Sequence, residues 1–399
     1  MLDAYIYDGL RTPFGRHAGG FAAIRPDDLV AQLMRALVER SPFAAEQIED
    51  VILGCTNQAG EDSRNVARNA LLAAGFPVTV AGQTVNRLCA SGLAAVLDAA
   101  RAVSCGEGGL YLAGGVESMS RAPFVLAKAE SAYSREAKIF DTTLGARFPN
   151  PKVNAQFGAD SMPETADNVA RDYGIDRAQA DAFALASQQR YASALECGFF
   201  AEEILPVEVP AGRKGTLTIS VDEHPRPDAS AEGLAKLRPL FEGGVVTAGN
   251  ASGINDGAAA LLIGTREVGE RVGAMPRARI LAGAAAGVAP RVMGIGPAYA
   301  IPKALERAGL TLADMDLIEI NEAFASQVLG CLTLLGLPHD DPRVNPNGGA
   351  IALGHPLGAS GARLVLTALR QLERSGGRYA VVSLCIGVGQ GLAVVIERL

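Results

Sequence analysis

The chain has 399 residues, 49% of them hydrophobic and 46 of them glycine, which is more than one ordinary core holds and points to a two-domain α/β protein of closely packed, small-residue elements. Its net charge of −7, from 36 basic and 43 acidic residues without a consecutive basic run, argues against nucleic acid or an anionic membrane surface as a partner. The run Met1 to Asp8 goes straight into alternating apolar residues, with no positive region and apolar stretch ahead of it, so a cytoplasmic protein is expected.

From Met1 to about Met119, strand-like runs at Ala4 to Tyr7, Val51 to Gly54 and Leu110 to Val116 alternate with helix-like runs at Leu29 to Val38, Asn65 to Ala74 and Leu93 to Val103. This is a β-α-β rhythm. From Ser120 to about Gly249 it fails: proline, charge and aromatic residues increase, as in Arg147-Phe-Pro-Asn-Pro-Lys152 and Val221-Asp-Glu-His-Pro-Arg-Pro-Asp228, and one amphipathic helix is predicted from Arg177 to Cys197. Long ordered loops cost conformational entropy and tend to cover sites, so this zone reads as a lid or binding subdomain. After Ala251 the rhythm returns, through Ala258 to Ile263, Arg279 to Ala286, Leu317 to Ile320 and Tyr379 to Leu384. The apolar tract Ala380 to Ile396 is interrupted by Ser383, Gln390 and three glycines, and predicts two short buried strands, not a membrane span.

One pattern is written twice. Ala90-Ser91-Gly92, Val96-Leu97, Ala99, Arg101 and Tyr111 recur as Ala359-Ser360-Gly361, Val365-Leu366, Ala368, Arg370 and Tyr379, at a spacing of 269 residues that slips to 268 by the tyrosines. Asp50-Val51-Ile52 likewise resembles Asp316-Leu317-Ile318 at 266, and the two strands end at Cys55 and Asn321. A duplicated fold is implied.

Candidate reactive groups cluster on this repeat. Cys89 follows Thr84-Val-Asn-Arg-Leu88 at a helix start, where peptide N–H groups favour an anion, so a lowered thiol pKa and a nucleophilic role are expected. The competing reading is a buried, inert cysteine. His355 stands in the glycine-dense run Asn345 to Gly361 that leads into the second copy, and Cys385 ends the strand that closes it. Two thiols and an imidazole suggest acyl transfer with separate proton handling, and Asn321 is placed to orient a water or polarise an oxyanion. The six cysteines show no C-x-x-C spacing and the four histidines are scattered, which argues against a structural zinc site and for free thiols.

These residues bring the chain to a known family: it resembles the thiolases from end to end, through Cys89-Ala-Ser-Gly92, Gly249-Asn-Ala-Ser-Gly253, Asn321-Glu-Ala-Phe324, Gly354-His-Pro-Leu-Gly-Ala-Ser-Gly361 and Cys385-Ile-Gly-Val-Gly-Gln-Gly391. The resemblance implies an α/β thiolase fold, duplicated β-α-β halves in a five-layered α-β-α-β-α sandwich. It places the N-terminal half at 1–119 and 250–272, an inserted loop domain at 120–249 and the C-terminal half at 273–399, in a homotetramer built as a dimer of dimers. It further implies that Cys89 carries the acyl group, His355 activates it, Cys385 is the acid/base, Asn321 holds an oxyanion-hole water, and the N–H groups of Cys89 and Gly387 form a second oxyanion site. The implied reaction is thiolytic cleavage of a 3-oxoacyl-CoA, with coenzyme A as cosubstrate and no metal or permanently bound cofactor. Arg226 would meet the nucleotide end of CoA, Ser252 would lie along its pantetheine arm, and Met162 would border the acyl pocket, with a solvated surface charge and core packing as the alternatives for Arg226 and Met162.

Ser161, Val388 and Gln390 depart from the short-chain biosynthetic members, whereas Asp141-Thr-Thr-Leu-Gly-Ala-Arg-Phe148, Asn345 to Gly354 and Gly387-Val-Gly-Gln-Gly391 look most like the branch that cleaves 3-oxoadipyl-CoA in aromatic-compound breakdown. That substrate calls for a cation, for which Arg147 and Lys152 are the candidates. A general or short-chain substrate is the alternative. A decarboxylating ketosynthase would lack Cys385, and a noncatalytic relative would be expected to have lost one of the three reactive residues.

Overall fold

The computed structural model describes residues 1–399, apart from the side chain of Lys214. Five strands belong to the first half: β1 (Ala4–Arg11), β2 (Asp50–Gly54), β3 (Ala81–Val85), β4 (Leu110–Ser118) and β5 (Asn255–Gly264). Four belong to the second: β6 (Ala278–Gly287), β7 (Leu317–Ile320), β8 (Tyr379–Ile386) and β9 (Gln390–Arg398). Their order is β7-β8-β9-β6-β1-β5-β4-β2-β3, with the short strand Gly15–Arg16 added on β5. Read outward from its first strand, each half has the same sequence of neighbours: β1-β5-β4-β2 against β6-β9-β8-β7. The counterpart of β3 shrinks to one parallel bridge between Ile318 and Val344. The halves meet where β1 and β6 pair antiparallel, Ala4 with Ile280 and Ile6 with Ala278.

Most of these strands are buried on both faces, which is why they read as apolar runs without alternation. Along β4, Tyr111 and Ala113 face the central core while Leu110 and Leu112 face an outer one. The outer core of the first half is closed by α1 (Pro26–Glu39) and α2 (Val66–Ala73). The central core is filled by α3 (Ser91–Cys105) together with the last long helix, Leu357–Ser375. That of the second half is closed by Gly296–Ala308 and Ala325–Leu335. Outer helices, sheet, central helices, sheet and outer helices give the five layers. The stretch apolar and long enough to cross a membrane, Leu88–Cys105, is α3 with its lead-in, and α3 lies in this central layer.

The repeated Ala-Ser-Gly has a structural reason. A Cβ on Gly92 would lie 2.4 Å from Gly358 O, and one on Gly361 would lie 2.3 Å from Leu93 N. The two central helices therefore touch backbone to backbone at their starts, and each copy contributes the glycine that permits it.

The region 120–249 is more ordered than its sequence predicts. It holds α4 (Met162–Tyr173) as well as α5 (Arg177–Glu196), a short helix Pro151–Phe157, and the hairpins Phe124–Leu126/Ile139–Asp141 and Val207–Pro210/Thr216–Ile219. The buried face of α5 is not purely apolar: it includes Asp181, Ser187 and Gln188, which bond to Asn250, Glu322 and Ile351 O. A fully buried ion cluster anchors the region to β1. Arg11 reaches Glu203 at 2.6 Å and Asp222 at 2.7 Å, and Asp222 also accepts from Tyr191 Oη at 3.0 Å. Pairing of this kind offsets the cost of burying the charges.

Candidate active site

Cys89 lies on the bend that turns β3 into α3, just before the N-cap Ala90. The bend is held by Ser91, whose Oγ accepts from Arg87 N–H at 2.9 Å and donates to Leu88 O at 2.6 Å. Leu88 is forced to φ +47°, a left-handed conformation that a branched side chain rarely adopts. Opposite it, the β8–β9 turn carries Val388 at φ +65°. Strain on both sides of one spot marks a site whose geometry the surrounding fold imposes. Between them lies Gly387, whose backbone N–H acts to lower the pKa of the Cys89 thiol. A Cβ added to Gly387 would stand 3.3 Å from Leu88 Cδ1 and 3.6 Å from Met162 Sδ. Met162 therefore borders this spot and, at 37% exposure, is not a core residue.

Cys385 is fully buried two residues before Gly387, as the last residue but one of β8, and a charge on Cys89 would raise its pKa further. Asn321 continues β7 beside it, its N–H donating to Ser383 O at 2.9 Å. The Asn321 side chain reaches His355, with Nδ2 3.3 Å from Nε2. On its other side, His355 Nδ1 lies 2.7 Å from Ser360 Oγ, which donates its own proton to Pro356 O at 2.9 Å. That network assigns the tautomer: Nδ1 carries the proton, and Nε2 presents a lone pair on the Asn321 side. Asn321 Oδ1, also buried, has no partner among the described residues.

The backbone at His355 is equally constrained. Its N–H donates to Asn255 Oδ1 at 2.9 Å, and Asn255 Nδ2 holds Gly15 O at 3.0 Å. Gly354, at φ +103°, lies so close that a Cβ there would be 2.5 Å from Asn255 Cγ. The Asn345 loop is stitched to β7 by Ile320 N–H to Asn345 Oδ1 at 2.9 Å and by Asn345 Nδ2 to Ile320 O at 2.8 Å.

The electrostatics overturn one expectation. Burial pushes the Cys89 thiol up to about 11, outweighing the Gly387 and Cys89 N–H groups that lower it, and lifts Cys385 well above the ordinary thiol range. Burial, followed by the Arg363 cation, lowers His355 to about 3. The helix start does not by itself make a thiolate: desolvation wins. Cys89 is half-buried, and both shifts favour a neutral thiol and a neutral imidazole at rest.

Two models of family domains match the chain: "Thiolase, N-terminal domain" over residues 4–267 and "Thiolase, C-terminal domain" over residues 274–398.

The chain belongs to the thiolase family.

The "Beta-ketoadipyl-CoA thiolase" of Pseudomonas aeruginosa is 59% identical over 398 residues, 99% of each chain. The "3-oxoadipyl-CoA/3-oxo-5,6-dehydrosuberyl-CoA thiolase" of Escherichia coli is 59% identical over 401 residues, the whole of both. Among solved structures, the Bacillus anthracis acetyl-CoA acetyltransferase superposes with a TM-score of 0.93 at 40% identity, covering 100% of this chain and 99% of that one. The thiolase fold and an acyltransferase activity follow for this chain.

Arg226 is exposed, its N–H bonded to Gln188 Oε1 at 3.0 Å. Ser252, half-buried, donates its N–H to Ala323 O at 2.9 Å, and the adjoining Gly253 packs against His224. Arg147 is half-buried, donates to Thr142 O at 3.1 Å and faces Asp62, while Lys152 is exposed. Neither hydrogen-bonds to Cys89, His355 or Cys385 among the described residues. Sequence reasoning missed Ser360 and Asn255; the first was visible as a repeated letter, but the second carries no signal until the fold brings it under His355.

Proposed function

We propose that the chain catalyses CoA-dependent thiolytic cleavage of 3-oxoadipyl-CoA to succinyl-CoA and acetyl-CoA, through an acyl group carried on Cys89. The observation that carries this reading is that Cys89 and Gly387 stand on facing turns, with Cys385 two residues before Gly387 and Asn321 beside β8, its amide 3.3 Å from His355 Nε2. The two relatives at 59% identity, both named for this substrate, support the choice of acyl chain.

In the first half-reaction His355 Nε2 takes the Cys89 proton as the sulfur attacks C3 of the substrate. The C2–C3 bond then breaks, leaving succinyl-Cys89 and the enolate of acetyl-CoA, which Cys385 protonates at C2. In the second half-reaction a CoA thiol gives its proton to the Cys385 thiolate and attacks the acyl carbon. Cys89 leaves as a thiolate and recovers its proton from His355. Both thiols thus return to the resting state. A developing oxyanion beside Cys89 would be met by the N–H groups of Cys89 and Gly387, and one on the other side by a water held on Asn321. The neutral resting pair suits this scheme, because proton transfer accompanies attack and no buried ion pair has to be held beforehand.

Coenzyme A is taken as a diffusible cosubstrate, with Arg226 at its nucleotide end and Ser252 and the His224–Gly253 contact along its arm. Met162 is assigned to the acyl pocket. Arg147, with one hydrogen bond among the described residues, is the better placed cation for the distal carboxylate. We further assign a cytoplasmic homotetramer. The test is kcat/KM for 3-oxoadipyl-CoA, acetoacetyl-CoA and a medium-chain 3-oxoacyl-CoA on one preparation. A preference of at least about 100-fold for the first, roughly 2.7 kcal/mol of transition-state discrimination, supports the dicarboxylate pocket. Equal or better activity on the uncharged substrates would refute it.

A further inference from the structure

The internal duplication generates a second constellation beside the first. At the repeat spacing, Cys385 matches Glu117, 268 residues earlier; His355 matches Asn86 and Cys89 matches Gly358 at 269; Asn321 matches Cys55 at 266. Three of these counterparts are gathered around one carboxylate. Glu117, at the end of β4 and 1% exposed, accepts three backbone N–H groups: Gly358 at 2.8 Å and Thr56 at 3.1 Å on Oε2, and Asn57 at 3.0 Å on Oε1. Thr56 and Asn57 directly follow Cys55, and Asn86 Nδ2 donates to Thr56 O at 3.2 Å. Gly358 is the second residue of the helix that follows His355. Its carbonyl is the one that packs on Gly92, the second residue of α3. The carboxylate therefore stands at the junction of both central helix starts.

Resting on the thiolase reading of the site, we propose that Glu117 is a positioning residue for this reaction: from the duplicated counterpart of Cys385, its buried carboxylate pins the helix start behind His355 against the helix start behind Cys89. Charge-assisted bonds to three fixed donors make a stiffer clamp than neutral ones would. The ligand atoms of Cys55 and Asp62 come within 4.8 Å of its own, but Cys55 Sγ donates to Asn57 O at 3.1 Å and both Glu117 oxygens are occupied by N–H groups. The cluster is thus built to hold backbone. Burial raises the carboxyl to about 7 against those three bonds, so it is ionised at alkaline assay pH. The titratable groups facing it are Cys55, Asp62 and Cys89, and its charge disfavours a thiolate on Cys89.

The test compares Glu117→Gln and Glu117→Asp with wild type, by turnover and by the pH midpoint of Cys89 alkylation with iodoacetamide. Gln removes the charge and sets an NH2 against a backbone donor; Asp keeps the charge but falls short of Gly358. Turnover is expected to fall about 10–100-fold in both, with KM little changed, as for a sub-ångström misplacement of reacting groups. The alkylation midpoint should move to lower pH in Gln and stay in place in Asp. Wild-type turnover and midpoint in Glu117→Gln would overturn the proposal, as would a midpoint that moves alike in both variants or loss of folding in both, which would make Glu117 structural. Absence of wild-type turnover would defeat the thiolase reading instead, and the midpoint would still report on Glu117.

Discussion

Ser360 is the residue through which the structure makes its sharpest claim about His355. In Ser360→Ala the Nδ1–H of a histidine that is only 4% exposed loses its acceptor, Ser360 Oγ at 2.7 Å. A buried donor left unpaired costs about 1–3 kcal/mol. The imidazole avoids that cost by moving its proton to Nε2, where the buried Asn321 Oδ1, without a partner among the described residues, can accept it after an amide flip. In that tautomer Nε2 can no longer take the Cys89 proton. The fraction of active tautomer, and hence the acylation rate, should fall about 5–150-fold, the factor equivalent to that energy. The assay is the single-turnover rate of Cys89 acylation from an acyl-CoA with no free CoA, so that Cys385 and product release do not enter. The fold should survive, because Pro356 O keeps its bonds from Ala359 and Ser360 N–H. Acylation within about twofold of wild type, in a folded variant, would refute the assignment of Nδ1 as the protonated nitrogen.

Cys385→Ser should still accept an acyl group on Cys89 from a simple acyl-CoA but cleave 3-oxoacyl-CoA at least about 100-fold more slowly, the lower range of a lost acid/base; equal losses in both assays would contradict the split. Gly354→Ala forces a Cβ to 2.5 Å from Asn255 Cγ at φ +103°, so urea denaturation should show a loss of about 2–5 kcal/mol from strain and overpacking together; a change under about 1 kcal/mol would mean that Asn255 yields freely. Burial raises Glu319 to about 8. A carboxyl raised in the folded state favours folding below its unfolded value and loses that contribution as pH rises through its folded value. The urea-midpoint advantage of wild type over Glu319→Gln should therefore shrink between pH 5 and 9, and a constant difference would contradict the shift. Light scattering should return a tetramer, and a stable monomer would contradict that assignment.

The duplicated layout was legible because it is carried by residues that backbone contact requires: Gly92 and Gly361 occur at the same place in each copy, for the reason that each lets the other helix approach. Leu317–Ile320 was read to the residue and the other strands named were found to within four residues at either end, since runs buried on both faces have no alternation to locate their ends, but β3 was missed because Ala81-Gly-Gln-Thr-Val85 is half-exposed and carries no apolar run. The inserted region was read as loop because its proline and charged runs dominate, and α4 begins with Met162 and Pro163 and buries only small or short residues, Thr165, Ala166, Asn168, Val169 and Ala170, so that its two faces, though well separated, carry no large apolar side chain at the buried positions. Its buried α5 face carries Asp181, Ser187 and Gln188, whose partners lie far along the chain. The lowered pKa expected for Cys89 fails for a related reason. A helix start is visible in sequence, whereas the desolvation that opposes it belongs to the assembled pocket.

The measurement closest to the central claim is peptide mass spectrometry after brief incubation with 3-oxoadipyl-CoA and no free CoA, with acetyl-CoA quantified in the same sample. A succinyl adduct is expected on the peptide containing Cys89, with one acetyl-CoA released per adduct and loss of the adduct as succinyl-CoA when CoA is added. An unmodified Cys89, or an adduct on Cys385 in its place, would contradict it.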